Sequence, residues 1–267
     1  MTAALTPSGR TADLMSRPTP WPRLRAGAVH LYTASGSVLA LLIVLAAIEG
    51  DAVRALWLGL AALVIDGTDG MLARKFDVTL HTPWFDGARL DDIVDYLTYA
   101  FAPVVLLLQA GYLPEGSLGI GLAALPLLAS TYQFCRTDAK TDDHMFLGFP
   151  SYWNVLAFYA VVLDLRTPTV AVLLVVCSVL AFVPVGYVYP SRTQAFRTLT
   201  LVLTGVWLVA YAALLVQAPD PQPWLVAVSL GYVVYYLALS VRLEVARRQR
   251  RRTGPSPGSR ISSRTQS

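Results

Sequence analysis

Residues 28–49 read AVHLYTASGSVLALLIVLAAIE, 22 residues whose only carboxylate, Glu49, stands at the far end. A helix of that length reaches about 33 Å, enough to cross the ~30 Å hydrocarbon core of a bilayer. The block begins after a long polar lead, so it reads as an uncleaved first span and not as a secretory signal. Working outward, similar apolar blocks recur near 54–73, 91–111, 118–135, 151–165, 169–188, 196–217 and 223–243. Of 267 residues, 55% are hydrophobic and only 14% charged, against roughly 25% charged in soluble domains. The pattern predicts an all-α polytopic membrane helix bundle of about eight transmembrane helices. It excludes disordered, fibrous and disulfide-scaffold classes. One membrane domain is expected over 26–245, flanked by polar disordered tails at 1–25 and 246–267. Cys135 and Cys177 show no metal-ligand spacing and read as free thiols.

Charge sets the expected orientation. The chain carries 19 Arg, 2 Lys and 17 acidic residues, for a net charge of +4. Basic residues favour the cytoplasmic side of a membrane. With the amino terminus inside, that side collects Arg10, Arg17, Arg23 and Arg25, then Arg74, Lys75 and Arg89, then Arg136 and Lys140. Arg192, Arg197 and eight Arg toward the C-terminus follow, including Arg247 and Arg248. Only Arg54 and Arg166 fall on the other side, a split of 19 to 2 that predicts two cytoplasmic termini and an even number of spans. The terminal basic residues suit anionic lipid headgroups. No basic, aromatic-interleaved module points to nucleic acid.

Carboxylates inside spans are costly and call for a function. Residues 66–74 read DGTDGMLAR and residues 86–95 read DGARLDDIVD. Helical spacing puts Asp66, Asp69, Gly70 and Ala73 on one stripe, and Gly87, Asp91 and Asp95 on another. The connection from Arg74 to Gly87 is short enough to make the two helices antiparallel neighbours. Four carboxylates can then meet at the cytoplasmic boundary, where protons or cations must offset their repulsion. Oxygen-only ligands select a hard cation, Mg²⁺ or Mn²⁺. Two such ions suit phosphoryl transfer. Gly70, Ala73 and Gly87 allow close approach, and Arg74 can pair with phosphate. Asp77, Asp86 and Asp92 lie off both stripes and read as solvated loop and helix-end residues.

At these residues the chain resembles the CDP-alcohol phosphatidyltransferase family, whose pattern is written DxxDGxxARx₈GxxxDxxxD. Asp66, Asp69, Gly70, Ala73, Arg74, Gly87, Asp91 and Asp95 match every fixed position, with twelve residues instead of eight between Arg74 and Gly87. The longer gap is similar to that of the bacterial phosphatidylcholine synthase branch. So are AVHLYTASG (28–36), DDIVDYLTYAFAP (91–103), FLGFPSYWN (146–154) and YPSRT (189–193). The resemblance covers roughly residues 26–240. It implies that Asp66, Asp69 and Asp91 ligate divalent metal, with Asp95 at or beside a second ion. It implies that Asp95 is the general base, and that Asp66, Gly70, Arg74 and Gly87 hold the CDP moiety. The implied reaction is CDP-diacylglycerol plus choline giving phosphatidylcholine and CMP. A homodimer in a bacterial inner membrane, with its active site facing the cytoplasm, is expected on the same ground.

A quaternary ammonium is held by aromatic faces. Tyr152, Trp153 and Tyr189 are the candidates for a choline cage, with Phe149, Tyr187, Tyr96 and Tyr99 nearby in the pattern. The alternative for all of them is interfacial anchoring. Arg192 is a candidate for a lipid phosphate, or else a topological anchor. Asp138, Asp142, Asp143 and His144 read as a solvated loop in preference to a second metal cluster. His30 reads as bonding a neighbouring helix. Asn154 is open between a substrate contact and a helix–helix bond.

Two other functions compete. Another acceptor, such as glycerol 3-phosphate, serine or inositol phosphate, would keep the family. An anionic acceptor would call for clustered Arg or Lys beside the acids, whereas aromatics and acids stand there. An ion-coupled transporter would favour mid-membrane acids and paired repeats. The acids here gather at one face, and no repeat is evident.

Overall fold

The computed structural model describes residues 21–139, 141, 145–190 and 193–253. Helix α1 (Trp21–Ile48) lies against α2 (Ala52–Lys75), and a short helical turn α3 (Val78–His81) leads into α4 (Gly87–Asp95). A π-helical turn over Tyr96–Phe101 joins α4 to α5 (Ala102–Gln109). Then come α6 (Gly116–Cys135), strand β1 (Met145–Leu147), α7 (Trp153–Val162), α8 (Thr167–Phe182), strand β2 (Gly186–Val188), α9 (Arg197–Val216) and α10 (Pro223–Thr253). Each of the eight expected apolar segments contains a helix. Among the described residues five helices, α1, α2, α6, α9 and α10, are long and apolar enough to cross a membrane. The third expected segment is helical over its length but changes winding at the π-turn. α7 and α8 are shorter apolar helices.

Side-chain size is distributed as a lipid solvent requires. On α1 the inward residues are Ala26, Val29, Thr33, Gly36, Ala40, Ile43 and Ala47, spaced by three or four. Leu31, Val38, Leu41, Leu45 and Ile48 point outward. α8 repeats this, with Val170, Leu174, Ser178 and Ala181 inward and Val172, Val175, Val176 and Val179 outward. Small residues let helix backbones approach, and large apolar ones face the hydrocarbon. Hydroxyls tie the later helices together. Tyr159 meets Ser229 at 2.7 Å, and Thr200 and Thr204 meet Tyr235 and Tyr232 at 2.8 Å each. Phe158 stacks on Tyr211 at 3.7 Å in the centre of the core.

Three features depart from expectation. α1 begins at Trp21 and α10 extends to Thr253, so residues 21–25 and 246–253 are helical where tail was expected. The sixth segment stops at Phe182, since Pro184 lacks the N–H that a continued helix needs. The residues beyond it form the third departure, an antiparallel pairing of β1 with β2, Met145 opposite Val188 and Leu147 opposite Gly186. Gly148 closes that turn at φ +83° against the Ala181 carbonyl, leaving no room for a Cβ.

The other edge of β2 is satisfied by α10. Gly186 N–H donates to Glu244 Oε2 at 3.1 Å, and Val188 N–H donates to Ser240 Oγ at 3.1 Å. Tyr236 donates its hydroxyl to the Val188 carbonyl at 3.1 Å. The residues Tyr236, Ser240 and Glu244, each four apart, thus present one helical face to one strand.

Candidate active site

The start of α1 packs with Ala26 and Val29 against Val78 of α3. That contact places the first helix beside the connection between α2 and α4. Gly36 then lies against Val94, so α1 runs flush along α4. In this setting α2 brings Asp66, and α4 brings Asp91 and Asp95, to one spot. One carboxylate oxygen from each of the three lies within 4.8 Å of the others, and all three residues are partly buried. The Asp95 and Asp66 carboxyls are within hydrogen-bonding reach, and Asp95 also feels the charges of Asp91 and Asp69. Two like charges about 4 Å apart repel by ~4 kcal/mol at an effective dielectric of 20. A cluster of three therefore requires a proton or a cation. The donor set, oxygen only and converging from two helices, fits Mg²⁺ or Mn²⁺.

Asp69 stands apart from these three. It is buried, and Thr33 Oγ1 donates to its Oδ2 at 2.8 Å. A step of three residues turns Asp69 some 60° from Asp66 around the helix, toward α1. Asp66 is itself held: the buried Tyr99 donates to its Oδ2 at 2.6 Å. Gly70 leaves space for the Arg74 guanidinium, whose Nη1 lies 3.5 Å from where a Gly70 Cβ would be. Gly87 sits against the His30 ring, 3.0 Å from Cε1 to a Cβ built there. His30 in turn bonds Thr82 Oγ1 through Nε2 at 2.9 Å and lies 4.3 Å from the Phe85 ring. His30 thus braces the twelve-residue connection through Thr82, which lies just past the end of α3. Asp86 caps α4 by accepting from Arg89 N–H at 3.0 Å.

The aromatic candidates separate. Tyr152 is partly exposed, its ring 6.2 Å from Tyr99 and 6.0 Å from Tyr236. Its hydroxyl feels the Asp66 charge. Trp153, the first residue of α7, is fully buried, its indole N–H donating to Ser130 Oγ at 2.7 Å and its ring 5.0 Å from that of Phe149. Tyr189 stacks on Phe146 with ring centroids 4.4 Å apart, and both residues are half-buried. Arg192 lies outside the described residues, as do Lys140, Asp142, Asp143 and His144. Asp138 forms an ion pair with Arg136 at 2.7 Å, which holds its carboxyl below the usual carboxylate range. Asn154 is buried and accepts from Val155 N–H at 2.9 Å. Cys135 and Cys177 are free thiols.

Thr33, Tyr236 and the π-turn were not legible as parts of this neighbourhood. Each acts across more than 30 residues of sequence, although Thr33 lies in the quoted string AVHLYTASG and the π-turn in DDIVDYLTYAFAP.

Fold and site together define a polytopic membrane protein with a hard-cation donor set at the meeting of two helices, beside tyrosines and an arginine suited to phosphate. No family model matches the chain. Curated relatives do. A phosphatidylcholine synthase of Pseudomonas aeruginosa is 37% identical over 222 residues, 83% of this chain and 92% of that protein. That of Legionella pneumophila is 40% identical over 219 residues, 79% of this chain and 86% of its own. That of Mesorhizobium japonicum is 38% identical over 220 residues, 81% of each. The chain belongs to the bacterial phosphatidylcholine synthase branch of the CDP-alcohol phosphatidyltransferase family.

Proposed function

We propose that this protein transfers the phosphatidyl group of CDP-diacylglycerol to choline, releasing CMP. The observation that carries the reading is the convergence of Asp66, Asp91 and Asp95 within 4.8 Å, in a chain similar to phosphatidylcholine synthases along most of its length. Asp66, Asp69, Asp91 and Asp95 would hold two Mg²⁺ or Mn²⁺ ions. Bound there, the ions supply charge neutralisation for the diphosphate and for the departing CMP.

The chain's own residues do the rest. Gly70, Arg74 and Gly87, with Asp66, hold the CDP moiety, Arg74 pairing with a phosphate oxygen. Tyr152 presents its ring to the trimethylammonium group, and the neighbouring carboxylates add negative charge. Asp95 takes the choline hydroxyl proton as that oxygen attacks the phosphorus bearing diacylglycerol. The bond from this phosphorus to the CMP oxygen breaks, and CMP leaves with the electron pair. General-base help of this kind contributes typically ~10²–10⁴-fold. Positioning supplies a further large share. Arg192 is assigned to the lipid phosphate and Tyr189 to the outer wall of the choline approach.

The protein would sit in the bacterial inner membrane as a homodimer, with the site on the cytoplasmic side. The 19-to-2 distribution of basic residues supports that orientation. The test is an acceptor panel. Purified protein with CDP-diacylglycerol and Mn²⁺ should release CMP with choline, and not with serine, glycerol 3-phosphate or inositol phosphate. Release with one of the latter alone would overturn the choline assignment.

A further inference from the structure

Both acidic residues of α2 are gripped by a hydroxyl from a different neighbour. Tyr99, in the π-helical turn directly after Asp95, donates to Asp66 Oδ2 at 2.6 Å. Thr33, on α1, donates to Asp69 Oδ2 at 2.8 Å. Tyr99, Thr33 and Asp69 are all buried, so none of these bonds is readily traded for one to water. The shorter bond falls in the range of charge-assisted O–H···O⁻ contacts. The π-turn interrupts an otherwise α-helical segment where Tyr99 reaches back to Asp66, and such turns recur at functional sites. On the other side, Gly36 lets α1 approach α4 closely, which brings Thr33, one turn away, to α2.

Resting on the metal reading above, we propose that Tyr99 and Thr33 are positioning residues: each fixes one α2 carboxylate so that the divalent-cation site is formed before the cation arrives. Neither belongs to the acidic motif. Partners of this kind orient metal-binding groups, and their loss typically lowers metal affinity by ~10–100-fold. Tyr99 acts through its hydroxyl and not its ring, which separates this role from that of an aromatic wall for choline.

The experiment is Mn²⁺ binding to the purified full-length protein in detergent, read from the electron paramagnetic resonance signal of free Mn²⁺. Tyr99→Phe keeps the ring and removes the donor. Thr33→Val keeps the shape and removes the donor, and Thr33→Ser returns it. Tyr99→Phe and Thr33→Val should each raise the Mn²⁺ Kd by about 10–100-fold, with Thr33→Ser close to the parent. Turnover of both weakened variants should recover at high Mn²⁺, with choline KM unchanged. If Thr33→Val does not fold, Thr33→Ala and the Tyr99 variant carry the test. Asp91→Asn separates the two levels of the account. If it loses Mn²⁺ binding while Tyr99→Phe and Thr33→Val bind as the parent does, the positioning role is overturned and the metal site stands. If Asp91→Asn also binds Mn²⁺ normally, both fall.

Discussion

Gly36 of α1 and Val94 of α4 touch so closely that a Cβ on Gly36 would fall 2.5 Å from Val94 Cγ1. A valine branch is stiff and cannot swing away. This contact sets the depth at which α1 lies against the acidic helices. Gly36→Ala should therefore destabilise the protein by about 1–3 kcal/mol, as overpacking does. Thermal unfolding in detergent should show a lowered midpoint, and the double variant with Val94→Ala should recover most of it.

His30 braces the connection that delivers Gly87. Its bond to Thr82 and its contact with Phe85 bridge 52 and 55 residues of sequence. Removing one hydrogen bond of this kind is worth ~0.5–1.5 kcal/mol. His30→Ala should raise KM for CDP-diacylglycerol by up to about tenfold and leave choline KM unchanged. Steady-state kinetics with each substrate varied in turn would check this.

Tyr152 is the aromatic candidate whose ring lies 6.2 Å from that of Tyr99, the residue bonded to Asp66. A cation over an aromatic face is worth ~0.5–2 kcal/mol. Tyr152→Ala should raise choline KM by up to about 30-fold, and Tyr152→Phe should retain most of the affinity. KM for CDP-diacylglycerol should move little in either. Equal effects on both substrates would remove Tyr152 from the choline side.

Glu244 anchors β2 to α10 and pairs with Arg247 at 3.5 Å and Arg248 at 2.6 Å. Its side chain is only 9% exposed. Glu244→Ala would strand the Gly186 N–H and take one carboxylate from the enclosed Arg247, a change of about 3–5 kcal/mol for a buried pair. Hydrogen exchange at Gly186 and Val188 should accelerate strongly, and less so in Glu244→Gln, which keeps an acceptor.

What the sequence made legible, and what it hid, follows from the range of each contact. The helical segments, and the i+4 step that puts Asp91 and Asp95 on one face of α4, could be read because apolar runs and i, i+3 or i+4 spacings are local. Asp66 joins them from α2, while α1 packs against both helices. The gripping of Asp69 by Thr33 could not be read, since it depends on how deeply α1 nests at Gly36. The β1–β2 pairing joins three-residue strands more than 35 residues apart, below the length at which strand periodicity shows. Composition assigned 21–25 to a polar tail, whereas these residues form the first turn of α1.

In the proposed reaction Asp95, among converging carboxylates, activates choline toward CDP-diacylglycerol. The direct measurement is formation of labelled phosphatidylcholine and CMP from labelled choline by the purified parent and by Asp95→Asn. Equimolar, choline-dependent products from the parent, reduced at least ~10²-fold in the variant, are predicted. Unchanged turnover in Asp95→Asn, or no CMP from the folded parent with choline and Mn²⁺ or Mg²⁺, would contradict the claim.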